Sequence, residues 1–376
     1  MREQFIKLAA TVVEKASRER PADAVLRNEL KGHPGLTRES SRHISRTVFA
    51  YYRWFGWLET DQPVARQLQQ AIELDQHFRQ RPVDFAAAEL RARAVPVWIA
   101  AHLEVSDEWL RALQSPPRLW LRARLGQGAS LARTLRDAEV CGRGEMPDAL
   151  EYQGSADLFR TQEFQAGEFE VQDLSSQAVG LLCDPRPAET WWDACAGEGG
   201  KTLHLSDLMR NQGLIWATDR VAWRLQKLKF RAARAQVYNY RTRLWRGPPQ
   251  VPFQTKFEGI LVDAPCTGIG TWHRNPHARW TCGPEDVRDL AEIQSGLLAC
   301  VAAAVKPGGR LIYSVCSLTR AETTEIASAF ESRFPEFRPR PLHHPLQSTQ
   351  RPQAQQWFWP SEGGGNGMFV AAWERE

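Results

Sequence analysis

The chain has 376 residues, of which 43% are hydrophobic and 24% charged, and its formal net charge is +4. This balance excludes a wholly disordered chain, and no stretch approaches the roughly 20 apolar residues that span a bilayer. At about 100–200 residues per domain, the length predicts two or three domains. The seven cysteines are sparse and odd in number, and the N-terminus has no apolar signal core. We therefore expect a cytoplasmic protein without a disulfide framework or a membrane partner.

The first part, residues 1–112, has the apolar periodicity of helices. Two sets of apolar residues repeat at helical spacing: Phe5, Leu8, Ala9 and Val12, and then Ile44, Val48, Tyr51, Tyr52 and Phe55. Residues 113–165 change pattern, with a predicted strand over 119–124 and a predicted helix over 131–140. This second part is interpreted as a small α/β linking module.

Strands and helices alternate in the third part, residues 166–376. The predicted strands cover 190–194, 214–218, 237–240, 259–262 and 310–315, and the predicted helices cover 201–211, 220–235, 285–305 and 320–333. A Gly-rich turn over 363–367 precedes a last predicted strand. This alternation predicts an open α/β sheet with parallel pairing, in which ligands bind beyond the carboxyl ends of the strands.

A glycine-rich loop, Asp193–Thr202, follows the first of these strands. A Walker phosphate loop requires Gly where Cys195 stands, and the dinucleotide fingerprint requires Gly or Ala where Thr202 stands. The loop of an S-adenosylmethionine methyltransferase remains, beside the alternative of a tight turn alone. Asp219 ends the second strand, where a carboxylate can accept the ribose hydroxyls, cap the next helix, or do both.

Two cysteines stand at the ends of two later strands, Cys266 in Asp263–Gly270 and Cys316 in Tyr313–Ser317. A single Cys is usually a small buried hydrophobic residue, and we assign that role to Cys141, Cys183, Cys282 and Cys300. Two cysteines at adjacent ligand-side strand ends favour chemistry instead. No Cys-x-x-Cys pair is present, so we expect no metal site.

From about residue 115 onward, the chain resembles the Sun/Fmu/NOL1/NOP2 family of RNA cytosine carbon-5 methyltransferases. The matching segments are Val171–Gln177, Asp193–Thr202, Asp219, Asp263–Pro276, Tyr313–Ser317 and Gly367–Ala371. The resemblance implies a Rossmann-like S-adenosylmethionine methyltransferase domain over 166–376. Residues 1–112 are similar to a NusB-like RNA-binding domain, and we expect no further RNA-binding module after the catalytic domain.

The chemistry explains why this family uses two cysteines. Carbon 5 of cytosine is a poor nucleophile, and a thiolate that adds to carbon 6 activates it by covalent catalysis. The resemblance implies that Cys316 is the nucleophile, that Cys266 assists product release, and that Asp263 hydrogen-bonds ring nitrogen 3, with Lys201 beside it. The cofactor-binding residues that it implies are Cys195, Ala196, Gly197, Glu198, Gly199, Gly200, Lys201, Asp219 and Asp263.

The sequence departs from the family pattern at two places. Glu198 stands where the family usually has Pro, and its carboxylate adds charge beside the cofactor. The family commonly has an acidic residue after the third strand, near the adenine, but Tyr240–Leu244 contains no carboxylate. We expect adenine recognition to differ here.

Residues 220–257 contain ten basic residues and no acidic one. A basic helix is often only a solvated face, but this segment lies next to the predicted site, so we expect it to contact RNA phosphates. The predicted RNA-binding residues are Arg224, Lys227, Arg231, Arg274 and Trp272. Aromatic residues there can stack on an unstacked base, although a core tryptophan is nearly as good an interpretation of Trp280.

The leading hypothesis is a monomeric enzyme that makes 5-methylcytidine in 16S ribosomal RNA. The first alternative keeps this chemistry and changes the substrate to transfer RNA. The second alternative is a catalytically weak RNA-binding or ribosome assembly factor. Glu198 and the lack of an acidic residue after the third strand, both departures from the family pattern, are the reasons to retain it.

Overall fold

The computed structural model of the chain describes residues 3–142 and 144–376. It contains two compact units. The first unit holds the chain up to Pro117 and a later segment, Gly268–Asp286, and the second holds Arg118–Thr267 and Val287–Glu376. No helix among the described residues is both long and apolar enough to cross a membrane.

The first unit is helical, as the periodicity predicts. Its first six α-helices are α1 (Glu3–Lys15), α2 (Ala22–Lys31), α3 (Arg38–Arg53), α4 (Val64–Gln80), α5 (Ala87–Arg93) and α6 (Asp107–Gln114). Thr37 caps α3 by accepting a hydrogen bond from the Ser40 backbone N–H. Amphipathic faces bury an aromatic core, in which Trp54 and Trp109 are fully buried.

The second unit begins with a small antiparallel sheet. Its elements are β1 (Leu119–Ala123), α7 (Gly128–Leu135), β2 (Ala138–Val140), β3 (Ala149–Tyr152), α8 (Gln162–Gln165) and β4 (Phe169–Val171), with strand order β2-β3-β1-β4. The helix predicted over 131–140 is wrong beyond Leu135. Arg136 adopts φ 55°, which ends α7, and Ala138 then pairs with Tyr152.

The larger sheet follows. Its helices and strands are α9 (Leu174–Leu182), β5 (Thr190–Asp193), α10 (Gly200–Leu208), β6 (Leu214–Asp219), α11 (Ala222–Arg234), β7 (Tyr240–Leu244), β8 (Phe257–Asp263), α12 (Ala278–Thr281, in the first unit), α13 (Pro284–Ala302), β9 (Val305–Val315), α14 (Thr324–Arg333), β10 (Phe337–Pro339), β11 (Gln355–Phe358), α15 (Pro360–Gly363) and β12 (Met368–Arg375). The strand order is β10-β12-β9-β8-β5-β6-β7, with β11 paired to β12. Strands β7, β6, β5, β8 and β9 are parallel, and β12 runs antiparallel to β9.

The predicted α/β fold is confirmed, and both faces of the large sheet are covered. The adjacent residues Trp191 and Trp192 in β5 point to opposite faces, and both are fully buried. The third strand, predicted over 237–240, lies later in the chain than expected: β7 covers Tyr240–Leu244. The backbone N–H groups of Tyr238 and Asn239 donate to the side chain of Asn211, so they do not take part in a strand ladder.

Candidate active site

The carboxyl ends of the parallel strands form a pocket at the point where the strand order reverses. After β5 the chain adds β6 and β7 on one side and returns to add β8 and β9 on the other. Ligands of open α/β sheets bind in the crevice at such a point. Here the crevice is a cavity of about 470 Å³, a size typical of ligand sites. Four predicted segments line it, namely the glycine loop, Asp219, Asp263–Cys266 and Cys316.

The glycine loop connects β5 to α10 through two residues in the left-handed region. Gly197 has φ 55° and Gly199 has φ 87°, a conformation that other residues rarely adopt. A Cβ atom on Gly199 would also lie 2.5 Å from the Leu228 side chain of α11. Glycine at position 199 therefore allows both the turn and the close packing of α11.

Side chains of the small antiparallel sheet and of the segment after it hold the glycine loop in place by hydrogen bonds. Gln172, just after β4, donates a hydrogen bond from Nε2 to the carbonyl oxygen of Gly200, at 3.3 Å. Its Oε1 accepts a hydrogen bond from Nε of the buried Arg122 in β1, at 2.7 Å. Arg122 also pairs with Asp207 in α10. The segment 171–177, which carries part of the family resemblance, thus acts as a support of the loop.

Asp219 lies at the end of β6, almost fully buried, with its carboxylate facing the loop. Oδ2 accepts a hydrogen bond from the backbone N–H of Gly197 at 2.9 Å, and Oδ1 accepts one from Val221 at 2.8 Å. Each carboxylate oxygen can accept more than one hydrogen bond, so acceptor sites remain for the hydroxyl groups of a ligand. The N-cap of α11 is Val221, which has no side-chain cap, so the predicted capping role of Asp219 is wrong. Asp219 instead holds the glycine loop and the backbone just before α11, and it can hold a ribose as well.

Asp193, the last residue of β5, is 1% exposed and lines the pocket. Its Oδ2 accepts a hydrogen bond from the Thr202 hydroxyl at 2.6 Å, whereas Oδ1 has no partner among the described residues. Burial, together with the negative charge of Asp263, raises the pKa of Asp193 to about 7, against the opposing effect of the Thr202 hydrogen bond. An orphaned buried oxygen in a pocket is a site where a donor group of a ligand can be satisfied.

Asp263 and Lys201 form an ion pair in the pocket. Lys201 Nζ lies 2.6 Å from Asp263 Oδ2, and the Ser314 hydroxyl donates to Oδ1 at 2.8 Å. Burial alone lowers the pKa of Lys201, but the attraction and hydrogen bond of Asp263 outweigh it, so the pKa is raised. Lys201 is therefore a protonated donor, held next to the carboxyl group that the resemblance assigns to substrate binding.

Cys266 and Cys316 come together as their positions at strand ends predict. Their Sγ atoms are 3.2 Å apart, well beyond the roughly 2.05 Å of a disulfide bond. Both thiols line the pocket together with Asp263. By contrast, burial raises the pKa of the Cys195 thiol in the glycine loop, which keeps it protonated.

One part of the pocket lining is apolar. Trp245, which follows β7, and Pro248 lie there with Ile293 and Leu297 of α13, and Arg246 adds a cation. No acidic residue from the segment after β7 lines the pocket. Sequence reasoning missed these residues because they come from distant elements without a local motif.

The predicted RNA-binding residues divide into three groups. Arg224 and Lys227 are exposed on α11, and Lys227 Nζ pairs with Glu198 at 2.9 Å. Arg231 is drawn inward, since it donates to Glu170 and to the Glu198 carbonyl oxygen. Within the first unit, Arg274 is exposed, whereas Trp272 is fully buried. The prediction that Trp272 stacks on a base is therefore wrong for this structure.

The lining of the pocket fits S-adenosylmethionine in three respects. Asp219 offers acceptors for ribose hydroxyls, and Asp193 has an orphaned oxygen for a donor group. The apolar part formed by Trp245, Pro248 and Leu297 suits a planar adenine ring.

Comparison with known proteins identifies relatives of this chain. A protein named "Probable ribosomal RNA small subunit methyltransferase B" from Synechocystis is 40% identical over 183 residues, 48% of this chain and 41% of that protein. The Cronobacter sakazakii "Ribosomal RNA small subunit methyltransferase B" is 31% identical over 293 residues, 73% of this chain and 65% of that protein. The chain thus spans about half of the length of the relatives that it matches.

The solved structure of PH0851 has the same fold, with a TM-score of 0.81 over 100% of this chain and 99% of that chain, at 22% identity. The family model described as "16S rRNA methyltransferase RsmB/F" matches residues 180–374, just over half of the chain. This match covers the glycine loop, Asp219, Asp263 and both pocket cysteines. The chain therefore belongs to the 16S rRNA methyltransferase RsmB/F family.

Proposed function

We propose that this protein methylates carbon 5 of cytosine in RNA, using S-adenosylmethionine, and that its substrate is 16S ribosomal RNA. The observation that supports the chemistry best is the pair of cysteine Sγ atoms 3.2 Å apart beside the Asp263–Lys201 pair. The relatives named as small-subunit ribosomal RNA methyltransferases support the choice of substrate. Such a substrate places the enzyme in the cytoplasm.

In the proposed reaction, the Cys316 thiolate adds to carbon 6 of the cytosine and forms an S–C bond. Asp263, protonated at that moment, donates to ring nitrogen 3 as the thiolate adds, and the Lys201 ammonium beside it stabilises the negative charge that develops. The chemistry that S-adenosylmethionine supplies when bound is a methyl group on a cationic sulfur, which carbon 5 attacks. A base then removes the proton from carbon 5, and the S–C bond breaks as the double bond re-forms. Cys266 assists this release.

The proposed RNA surface is the exposed face of α11. Arg224 and Lys227 supply charges for phosphates, and two aromatic residues of the same helix, Trp223 and Phe230, are 54% and 67% exposed. Lys227 Nζ lies 4.7 Å from the centre of the Trp223 ring. Exposed aromatic rings among cations are typical of surfaces on which unpaired bases stack. Arg231 supports this face through its bonds to Glu170 and contributes less directly.

Cysteine variants test the reaction. We expect Cys316→Ala to lose methyl transfer from labelled S-adenosylmethionine to 16S ribosomal RNA, because no thiolate can add to carbon 6. We expect Cys266→Ala to accumulate a covalent protein–RNA adduct on denaturing gels, because release fails after methylation. Cys300→Ala, which lies outside the pocket lining, is the matched control.

Four outcomes would contradict parts of the proposal. Full transfer by Cys316→Ala would rule out covalent catalysis through this residue, and an adduct in Cys316→Ala alone would reverse the two roles. Labelling of transfer RNA without 16S ribosomal RNA would overturn the proposed substrate. No transfer by the wild-type protein to either RNA would favour an RNA-binding or assembly role. Sequencing the labelled RNA identifies the cytosine.

A further inference from the structure

A buried glutamate connects the two cysteine loops. Glu322 ends a short 3-10 helix, Arg320–Glu322, that follows β9, and it is 0% exposed. Its Oε1 accepts hydrogen bonds from the backbone N–H of Thr267 at 2.8 Å and from Gln294 Nε2 at 3.1 Å. Its Oε2 accepts from the hydroxyl groups of Thr267 at 2.6 Å, Ser317 and Thr319.

Two of these partners stand directly after the pocket cysteines. Thr267 follows Cys266 in the loop after β8, and Ser317 follows Cys316 in the loop after β9. The two hydroxyl groups also lie 3.1 Å from each other. One carboxylate therefore binds both loops at the residue next to each thiol.

The partners of Glu322 are all uncharged donors, although a buried carboxylate is usually paired with a cation. Hydrogen bonds to a charged acceptor are about twice as strong as bonds between neutral groups. Gln294 extends the network, because its Nε2 also donates to the Pro265 carbonyl oxygen and its Oε1 accepts from Tyr313. The segment before Cys266 is thus held as well.

We infer that Glu322 is a positioning residue that fixes the distance between the Cys266 and Cys316 thiols. The loops come from two different strands, so the strand pairing alone does not hold the residues beyond it at one spacing. The importance of this spacing for product release rests on the proposed function. The inference that Glu322 sets the distance between the thiols does not depend on that function.

The test measures the effective concentration of the two thiols from their equilibrium with glutathione disulfide. Two thiols and one glutathione disulfide give one protein disulfide and two glutathione molecules, and mass spectrometry of the Cys266 and Cys316 peptides quantifies the product. We expect Glu322→Gln to lower the effective concentration about tenfold or more, since neutral hydrogen bonds hold the loops less firmly. Glu325→Gln, the same change at an exposed position of α14, is the control and should match the wild-type protein.

An unchanged thiol equilibrium in folded Glu322→Gln would overturn the inference and leave Glu322 only a role in stability. If Glu322→Gln does not fold, Thr267→Val removes one hydroxyl donor at nearly constant shape. It should lower the effective concentration, and Thr267→Ser should restore it. Failure of both effects would also overturn the inference.

The role in turnover has a separate measurement. With 16S ribosomal RNA, Glu322→Gln should retain the wild-type KM for RNA, lose most of its kcat, and accumulate the covalent adduct although Cys266 is present. A changed thiol equilibrium without an adduct would support the positioning role and contradict the proposed reaction. A wild-type thiol equilibrium in Glu322→Gln, together with the expected covalent adduct in Cys266→Ala, would support the proposed reaction and contradict the positioning role.

Discussion

The last residues of β5, β6 and β8 are carboxylates that share one pocket with Lys201 of α10. They are Asp193, Asp219 and Asp263. Lys201 is paired with Asp263 at 2.6 Å, and Asp219 is held by two backbone N–H groups. Asp193 alone among them has a carboxylate oxygen without a partner in the described part of the chain. The ionisation of Asp193 is opposed by its burial.

The titration of Asp193 predicts a pH dependence of stability. Its pKa is raised from 3.8 to about 7 in the folded protein, mainly by burial, so between these pH values the folded state binds more protons than the unfolded state. The free energy of unfolding of the wild-type protein should therefore fall, by up to about 1.4 kcal/mol per pH unit from this group, as the pH rises through that window. Asp193→Asn should lack this decrease and still accept from Thr202.

The measurement is urea unfolding of both proteins between pH 4 and pH 8. The difference in unfolding free energy should shift in favour of Asp193→Asn as the pH rises and become constant above about pH 7. Asp289→Asn, an exposed residue of α13, is the control. Parallel curves for the wild-type protein and Asp193→Asn would show that Asp193 is ionised throughout this range.

At the scale of elements, the segment 268–286 departs furthest from the sequence-based expectation. It follows Thr267 directly in the chain, yet it forms part of the helical first unit. Arg279 in α12 is fully buried there and donates to the carbonyl oxygens of Ala94 at 2.8 Å and Leu113 at 3.0 Å. Trp280 donates to the Tyr52 carbonyl oxygen at 2.6 Å. The segment therefore completes the helical unit rather than lining a base pocket.

The buried hydrogen bonds of Arg279 lead to a prediction about the stability of the first unit. Arg279→Met should lower the free energy of unfolding of the first unit by about 3 kcal/mol or more, because buried carbonyl oxygens lose their donors. Urea unfolding followed by tryptophan fluorescence measures the change. Arg274→Met, an exposed arginine of the same segment, should have little effect. Equal effects of the two substitutions would contradict the role of Arg279.

Most elements of the large sheet could be predicted from local patterns, and the errors have local causes. The strands 190–194, 214–218 and 259–262 are confirmed within a few residues. The last predicted helix begins late, since its first turn is the 3-10 helix that carries Glu322, and α14 starts at Thr324. No sequence pattern identifies Glu322, because its five hydrogen bonds come from four residues in the loop after β8, in α13 and in the loop after β9.

For the molecule as a whole, the proposed function predicts that RNA affinity depends on the positive charge of α11. Replacing Lys227 or Arg224 with Ala should weaken binding of 16S ribosomal RNA and reduce the slope of log affinity against log salt by about 0.7 for each lost phosphate contact. Filter binding at several salt concentrations measures the slope. Lys256→Ala, at the opposite, amino end of β8, should leave it unchanged. Equal slopes for all three variants would place the RNA elsewhere.

The sequence by itself determined which residues meet in the pocket. Cys266, Cys316, Asp263 and the glycine loop all stand at strand ends, and the carboxyl ends of parallel strands necessarily lie at one edge. The tertiary structure decided the distances, the partners and the exposure. It placed the two thiols 3.2 Å apart, left one oxygen of Asp193 without a partner among residues 3–142 and 144–376, and buried Trp272. These properties depend on packing between segments far apart in the chain, which local spacing does not encode.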